Sequence, residues 1–521
     1  AGAGLAGAPD VPRRGIHLHT LHPIEGYYDF WEGDPARAAQ VIDWVVKNRG
    51  DHLQWVALED ALEADADWKA QQAAIVAAAH ARGLTTGLGI QLYGASNLQL
   101  AFDLVDDPGS PEEERASMEP RLDTVDVGFD LWNLSFGEFS GTDPESFITS
   151  ANTAYDALSA RGGEVAATIH VGNYEDLRVE WEGEEMLYYF LVQFADPGIT
   201  PWVHSVMFYD LYEDAGQAYH HDEFDEHRAF LEERVASGEP HGYFPETAYW
   251  VAFDNSVPQY DPLYVRSRWV DLDGLREVGT LQQHVLFSSG WEWGYWQNDV
   301  GALRMSYDRD LGWEDAFRGM FADDDVADAV IALTEVQHRW LLEGRLAAYV
   351  AGRDDFIDLG DALDIHSQPD RLEFDEVTAD DQALVDDLAA LAADTRGVLD
   401  TLPSGDAWVD EVRDGVEVDA LRAEFAAAAW GAAVAKARGE AASASDAAAI
   451  LEDARAVVTR RHAALHDPQG ERLITHGDNA TLYDYGYLLR ADELCFWERE
   501  LEQLRNHVEG ADVDVRACTL E

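Results

Sequence analysis

Lysine is almost missing from this chain: of its 521 residues only Lys47, Lys69 and Lys436 are lysines. Lysine and arginine together number 36 against 101 aspartates and glutamates, a net charge of −65 at pH 7. That sign of charge repels nucleic-acid phosphates and anionic lipid headgroups, so neither is expected as a partner. Acidic surfaces also keep a protein soluble in brine, where the Debye length shrinks to ~3 Å at 1 M salt. Salt adaptation is one reading of the bias, and a GC-rich coding background is the other. Cysteine is equally scarce. Cys495 and Cys518 are too few for a disulfide framework or a zinc cluster. No apolar run approaches the ~20 residues that span a bilayer, so membrane insertion is not expected. Residues 1–9 are small and featureless, like the stretch left when a leader is removed, and export or a cell-surface location is the expectation.

What is present is a globular composition, 47% hydrophobic and 11% aromatic, at a length that suggests two domains. Between residues 14 and 300, short apolar strands alternate with helical stretches. The expected strands are residues 14–20, 52–58, 85–92, 125–135, 164–171, 202–210, 242–250 and 283–290. Eight strands in this span match the count and length of a (β/α)₈ barrel. A doubly wound open sheet is the rival, but no glycine-rich phosphate loop follows any strand, and no cofactor is implied. Beyond residue 320 long alanine-rich helical patterns take over, at 325–353, 379–402, 418–439, 445–466 and 483–507. The expected organisation is therefore an extension over 1–13, a (β/α)₈ barrel over 14–320 and an all-α helical domain over 321–521.

In such a barrel the chemistry gathers at the carboxyl ends of the strands. There the sequence places acids and aromatics: Glu138 after strand four, Asp210 after strand six, Glu246 and Trp250 at strand seven, and Trp291, Glu292, Trp293, Trp296 and Asp299 after strand eight. Two carboxylates across a cleft are what glycoside hydrolysis requires, one to protonate the leaving oxygen and one to attack or to activate water. A glutamate after strand four and another at strand seven resemble the arrangement of the (β/α)₈-barrel glycoside hydrolases that retain configuration. That resemblance implies Glu138 as acid/base and Glu246 as nucleophile, with Asp210 and Glu292 shaping the site and a carbohydrate as substrate. Where that group has asparagine before its strand-four glutamate, this chain has Gly137. Asp130, expected to alternate with Asp126 along strand four, is the alternative acid, as in the hexosaminidase type. Trp250, Trp291 and Trp293 would stack on sugar rings, and His17, His19, His170 and Asp299 would bind hydroxyls.

Two other readings remain open. His17 and His19 stand at i and i+2 on strand one and share a face, the pattern that begins the metal sites of amidohydrolases and related phosphoesterases. His170 fits such a site at strand five, whereas His204 is expected near the start of strand six and His284 near the start of strand eight. The third reading is a non-catalytic barrel that binds glycan through its aromatic rim. Several further features read as structural: Asp271-Leu272-Asp273-Gly274 as a surface turn, Asp323-Asp324-Asp325 as a solvated helix cap, Tyr483-Asp484-Tyr485-Gly486-Tyr487 as a loop over the mouth or a packed interface, and Cys495 as a buried thiol. Oligomeric state leaves no mark in the sequence.

Overall fold

The computed structural model describes residues 8–18, 30, 35–57, 66–93, 102–105, 109–136, 143–173, 175–216, 218–247, 259–288, 295–350, 374–405, 407–465 and 494–515. Eight strands close into a parallel barrel: β1 Arg13–Leu18, β2 His52–Val56, β3 Thr85–Tyr93, β4 Leu131–Ser135, β5 Glu164–Ile169, β6 Ile199–Ser205, β7 Gly242–Pro245 and β8 Gln283–Ser288. Each pairs with its neighbour in sequence, and β1 pairs with β8, Arg13 opposite Gln283 through Leu18 opposite Ser288. A short extra strand, Asp103–Val105, pairs with the end of β3. The open-sheet alternative is thereby excluded.

Strands buried on both faces sort their side chains by parity. Leu131, Ala166, Trp202, Phe244 and Val285 form a small cluster of their own, with Phe287 packed against it. This is the filled barrel interior. Their neighbours Trp132, Val165, Val203 and Leu286 belong instead to the main core that the surrounding helices cover. Those helices are α1 Pro35–Lys47, α2 Ala66–His80, α3 Pro111–Val125, α4 Pro144–Ser159, α5 Asp225–Ser237, α6 Leu263–Val278 and α7 Tyr295–Tyr307.

Two strand boundaries differ from expectation, and both matter for the site. Residues 125–130 precede β4 rather than belonging to it, because α3 runs to Val125 and is fixed at its start by a capping box of Ser110 and Glu113. Asp130 therefore sits at the amino end of β4, where it accepts the Thr86 N–H at 2.7 Å and pairs with His80 at 2.7 Å. It faces away from the barrel mouth, so the alternative acid is ruled out by position. Conversely β6 starts at Ile199, which puts His204 at its carboxyl end, not near its start. His284 does lie early in β8, on the outer face, 2.5 Å from the Ser306 hydroxyl of α7.

The carboxyl-terminal part is helical: α8 Trp313–Arg318, α9 Asp324–Gln337 with a π-helical turn over His338–Glu343, α10 Gln382–Thr401, α11 Ala407–Ala437, α12 Ser445–Leu465 and α13 Cys495–Glu509. Asp323 caps α9 by accepting the Asp325 N–H, as expected of that acidic run. Asp271 is no surface turn. It lies within α6, fully buried. The helical part meets the barrel through buried polar contacts: the Tyr260 N–H donates to Asp419 of α11 and the Leu263 N–H to Gln337 of α9. Residues 466–493, with Tyr483 to Tyr487, lie outside the described residues, as does the Cys495 side chain.

Candidate active site

The mouth of the barrel is built from β1, β2 and β4 to β8. On β2, His52 and Gln54 share the inward face, and their rings and amide continue to His17 on β1. His52 Nε2 is 3.0 Å from Gln54 Oε1, and Gln54 Nε2 is 2.7 Å from His17 Nδ1. This chain of side chains needs room, and β3 supplies it with glycine. A Cβ on Gly87 would stand 3.0 Å from Gln54 Cβ, and one on Gly89 would stand 3.1 Å from His17 Cε1. The His17 ring stacks on Phe287 of β8 at 5.0 Å and meets Phe244 of β7 edge-on at 5.2 Å. His52 is wholly buried, which pushes it down to about 4 and keeps that ring neutral at pH 7.

Glu246 follows β7 directly. Its N–H donates to the Ser205 carbonyl at 3.0 Å, continuing the ladder with β6. Glu246 as a residue is only 3% exposed. One carboxylate oxygen accepts the Met207 N–H, and the other lies 3.5 Å from His204 Nε2. Met207 reaches this position with φ +56°, a left-handed backbone that side-chain-bearing residues avoid and that recurs at functional sites. Behind the strand ends, Arg268 on α6 donates to the carbonyls of both Tyr209 and Glu246, so one guanidinium ties the segments after β6 and β7 together. Its Nε is 3.0 Å from Asp271 Oδ2, and both side chains have no exposed surface. Asp271 in turn accepts the Tyr243 hydroxyl at 2.6 Å and the Leu211 N–H at 2.8 Å.

His170, just past β5, packs against His204 with ring centroids 5.2 Å apart, and against Tyr189 and Tyr219. Burial and the nearby His204, His227 and His221 push it well below the ordinary histidine value, so it is a neutral ring. Asp299, on the first turns of α7, accepts the Thr247 and Ser288 hydroxyls at 2.6 Å each, and burial raises it to about 7. It buttresses the ends of β7 and β8. Asp210 is also buried. It accepts the N–H groups of Tyr212 and Glu213, and burial, Asp271 and Glu213 lift it to about 8. At the rim, Trp296 stacks edge-on against Trp408 of α11 at 5.1 Å and donates to Glu411, and Trp408 is 59% exposed.

The structure thus brings His17, His170 and Glu246 to one mouth, with Asp210 and Asp299 in supporting networks behind it. Glu138, His19, Trp250, Trp291, Glu292 and Trp293 lie outside the described residues. Sequence reasoning missed Gln54, Asn133, Met207, Arg268 and Asp271. Asn133 is the plainest of these: a buried asparagine between Trp132 and Leu134, it accepts the Thr168 hydroxyl at 3.2 Å, and its Nδ2 has no partner among the described residues. Among the described residues no group of three or more histidine, cysteine, aspartate or glutamate side chains is placed to hold a metal ion.

Solved structures share this architecture. A family GH115 4-O-methyl-α-glucuronidase with specificity for decorated arabinogalactans aligns over 90% of this chain with a TM-score of 0.55 at 12% identity. The chain spans 60% of the length of that enzyme. An O-GlcNAc hydrolase mutant from Thermobaculum terrenum aligns over 96% of this chain and 97% of its own, with a TM-score of 0.44 at 11% identity. The first likeness shows the fold: a (β/α)₈ barrel followed by a helical region. No family model and no curated protein matches the sequence.

Proposed function

We propose that the protein hydrolyses glycosidic bonds in a poly- or oligosaccharide. Glu246 at the end of β7 is the nucleophilic carboxylate, and Glu138, three residues beyond the end of β4, is its acid/base partner. The observation that carries this reading is the seat of Glu246. It is a buried carboxylate at the carboxyl end of a barrel strand, one oxygen on a main-chain N–H and the other 3.5 Å from His204, whose ring packs against Phe244 and Phe287. Asp130 at the opposite end of the barrel leaves Glu138 as the carboxylate after β4. Exposed Trp408 on Trp296 offers an aromatic surface at the rim of the kind on which sugar rings stack, and the glucuronidase of like fold makes carbohydrate the substrate class to try first. Export fits a polysaccharide substrate.

The test is a panel of glycans and aryl glycosides, with Glu246→Gln and Glu138→Gln measured beside the native protein. Each substitution is expected to lower kcat on the order of 10³-fold with the fold intact. Native activity in both variants would sink the reading. Chelator treatment is expected to leave turnover unchanged, whereas its abolition would favour a metal-dependent hydrolase built on His17, His19 and His170.

A further inference from the structure

His204 presents its two ring nitrogens to two acceptors. Nδ1 lies 2.6 Å from the main-chain carbonyl oxygen of Phe244. A carbonyl has no hydrogen to give, so Nδ1 carries one. In a neutral imidazole that leaves Nε2 bare, and Nε2 is the atom 3.5 Å from Glu246 Oε1. Both side chains are 4% exposed, so water does not screen the contact. A lone pair facing a carboxylate oxygen there is repulsive, and the arrangement is attractive only with a hydrogen between the two atoms.

Among the described residues His204 is the group in ion-pair contact with this carboxylate. His17 from β1 spends Nδ1 on Gln54, and His170 from β5 is neutral. Arg268 from α6 gives its Nη1 to the Glu246 carbonyl rather than the carboxylate, and its charge is matched by Asp271. Asp299 from α7 and Asp210 after β6 face their own hydroxyl and N–H donors.

We infer that His204 carries hydrogens on both ring nitrogens and is the cationic partner of Glu246, a positioning residue that fixes one carboxylate oxygen while the Met207 N–H fixes the other. Its catalytic meaning rests on the glycosidase reading, but the charge pair itself does not. The pair gives a buried carboxylate a cation without placing a long arginine or lysine in the mouth.

The experiment is long-range ¹H–¹⁵N correlation of the histidine rings in the full-length, ¹⁵N-histidine-labelled protein at pH 7. His204 is assigned by the signals lost in His204→Gln, or, if that variant does not fold, by contacts of its ring protons with Phe244 and Phe287. The expected pattern is a ring with both nitrogens protonated that reverts in Glu246→Gln to the form carrying hydrogen on Nδ1 alone. A bare Nε2 in the native protein, or a doubly protonated ring unchanged in Glu246→Gln, overturns the inference. On any glycan that is turned over, His204→Gln is expected to lower kcat on the order of 10-fold or more while KM changes little, and to alter the pH profile; unchanged kcat and profile count against it. A protonated His204 in a protein that cleaves no glycan would leave the pair standing and remove the glycosidase reading. Turnover with a neutral His204 would do the reverse.

Discussion

Arg268 and Asp271 lie one turn apart on α6 and form an ion pair with no solvent exposure on either side chain. The 3.0 Å contact between Nε and Oδ2 is a charge contact rather than an aligned hydrogen bond, because the guanidinium aims its Nη atoms at the carbonyls of Glu246 and Tyr209. A single helix thereby sets the positions of the two segments that carry the site.

Arg268→Ala would leave Asp271 charged and buried without its partner. Loss of one member of such a pair typically destabilises by about 3–5 kcal/mol, far more than a surface pair. Urea unfolding of the variant is expected to show that loss, and turnover is expected to fall as well, since the Glu246 carbonyl is released. A loss under about 1 kcal/mol would mean that the pair is dispensable and that the strand ends are held by something else.

Asp261 and Asp419 join the barrel to the helical part with no cationic partner among the described residues. Gln337 Nε2 lies 3.3 Å from Asp261 Oδ1 and 3.5 Å from Asp419 Oδ2. Burial raises Asp261 to about 7, and burial together with Asp261 raises Asp419 well above the ordinary carboxylate value. A carboxyl that is raised in the folded state holds its proton there after the unfolded chain has lost it. Stability from these groups is therefore full below the unfolded value of about 4 and declines as pH climbs from there towards about 7. Asp299, also at about 7, adds to the same slope. Buried neutral His52 and His170 act in the opposite sense over the same window, so the check is the difference between two proteins: the melting temperature of Asp261→Asn is expected to rise with pH relative to that of the native protein. Parallel slopes in the two proteins would show that the pair does not titrate in the folded state as described.

Gly89 makes room for His17, with a Cβ contact of 3.1 Å in prospect. Gly89→Val would drive two further carbons into that ring and into the Gln54 contact behind it. Overpacking of this kind typically destabilises by about 1–3 kcal/mol, and His17 is expected to shift off Phe287. A melting temperature equal to that of the native protein, with an unchanged His17 signal in ring-proton spectra, would refute the steric role.

The legible part of this protein was its periodicity. All eight strands stand in the expected order, because a parallel strand buried on both faces must be apolar nearly throughout, and that pattern needs no knowledge of what lies across from it. The position of Glu246 at the end of β7 was legible for the same reason. Boundaries were less so. Val125, Val127 and Phe129 alternate like a strand, yet Val125 closes a helix and the chain reaches β4 only at Leu131. The capping box of Ser110 and Glu113 was the signal that could have revealed this helix. In β6 the strand runs through Pro201, a residue that argues against a central strand, and so begins before the expected start at Trp202. Each boundary decides which end of the barrel a side chain occupies, so these shifts moved Asp130 out of the site and His204 into it.

The sequence by itself determined the barrel, its helical continuation and the carboxylate at strand seven, because local periodicity and strand order suffice for those. Only the tertiary structure decided what that carboxylate touches. The contacts of Glu246 with His204 and Met207 span 42 and 39 positions, and Arg268 reaches Glu246 and Tyr209 from a helix that follows both. Such partners are chosen by strand closure and helix packing, which bring together residues that no spacing along the chain relates.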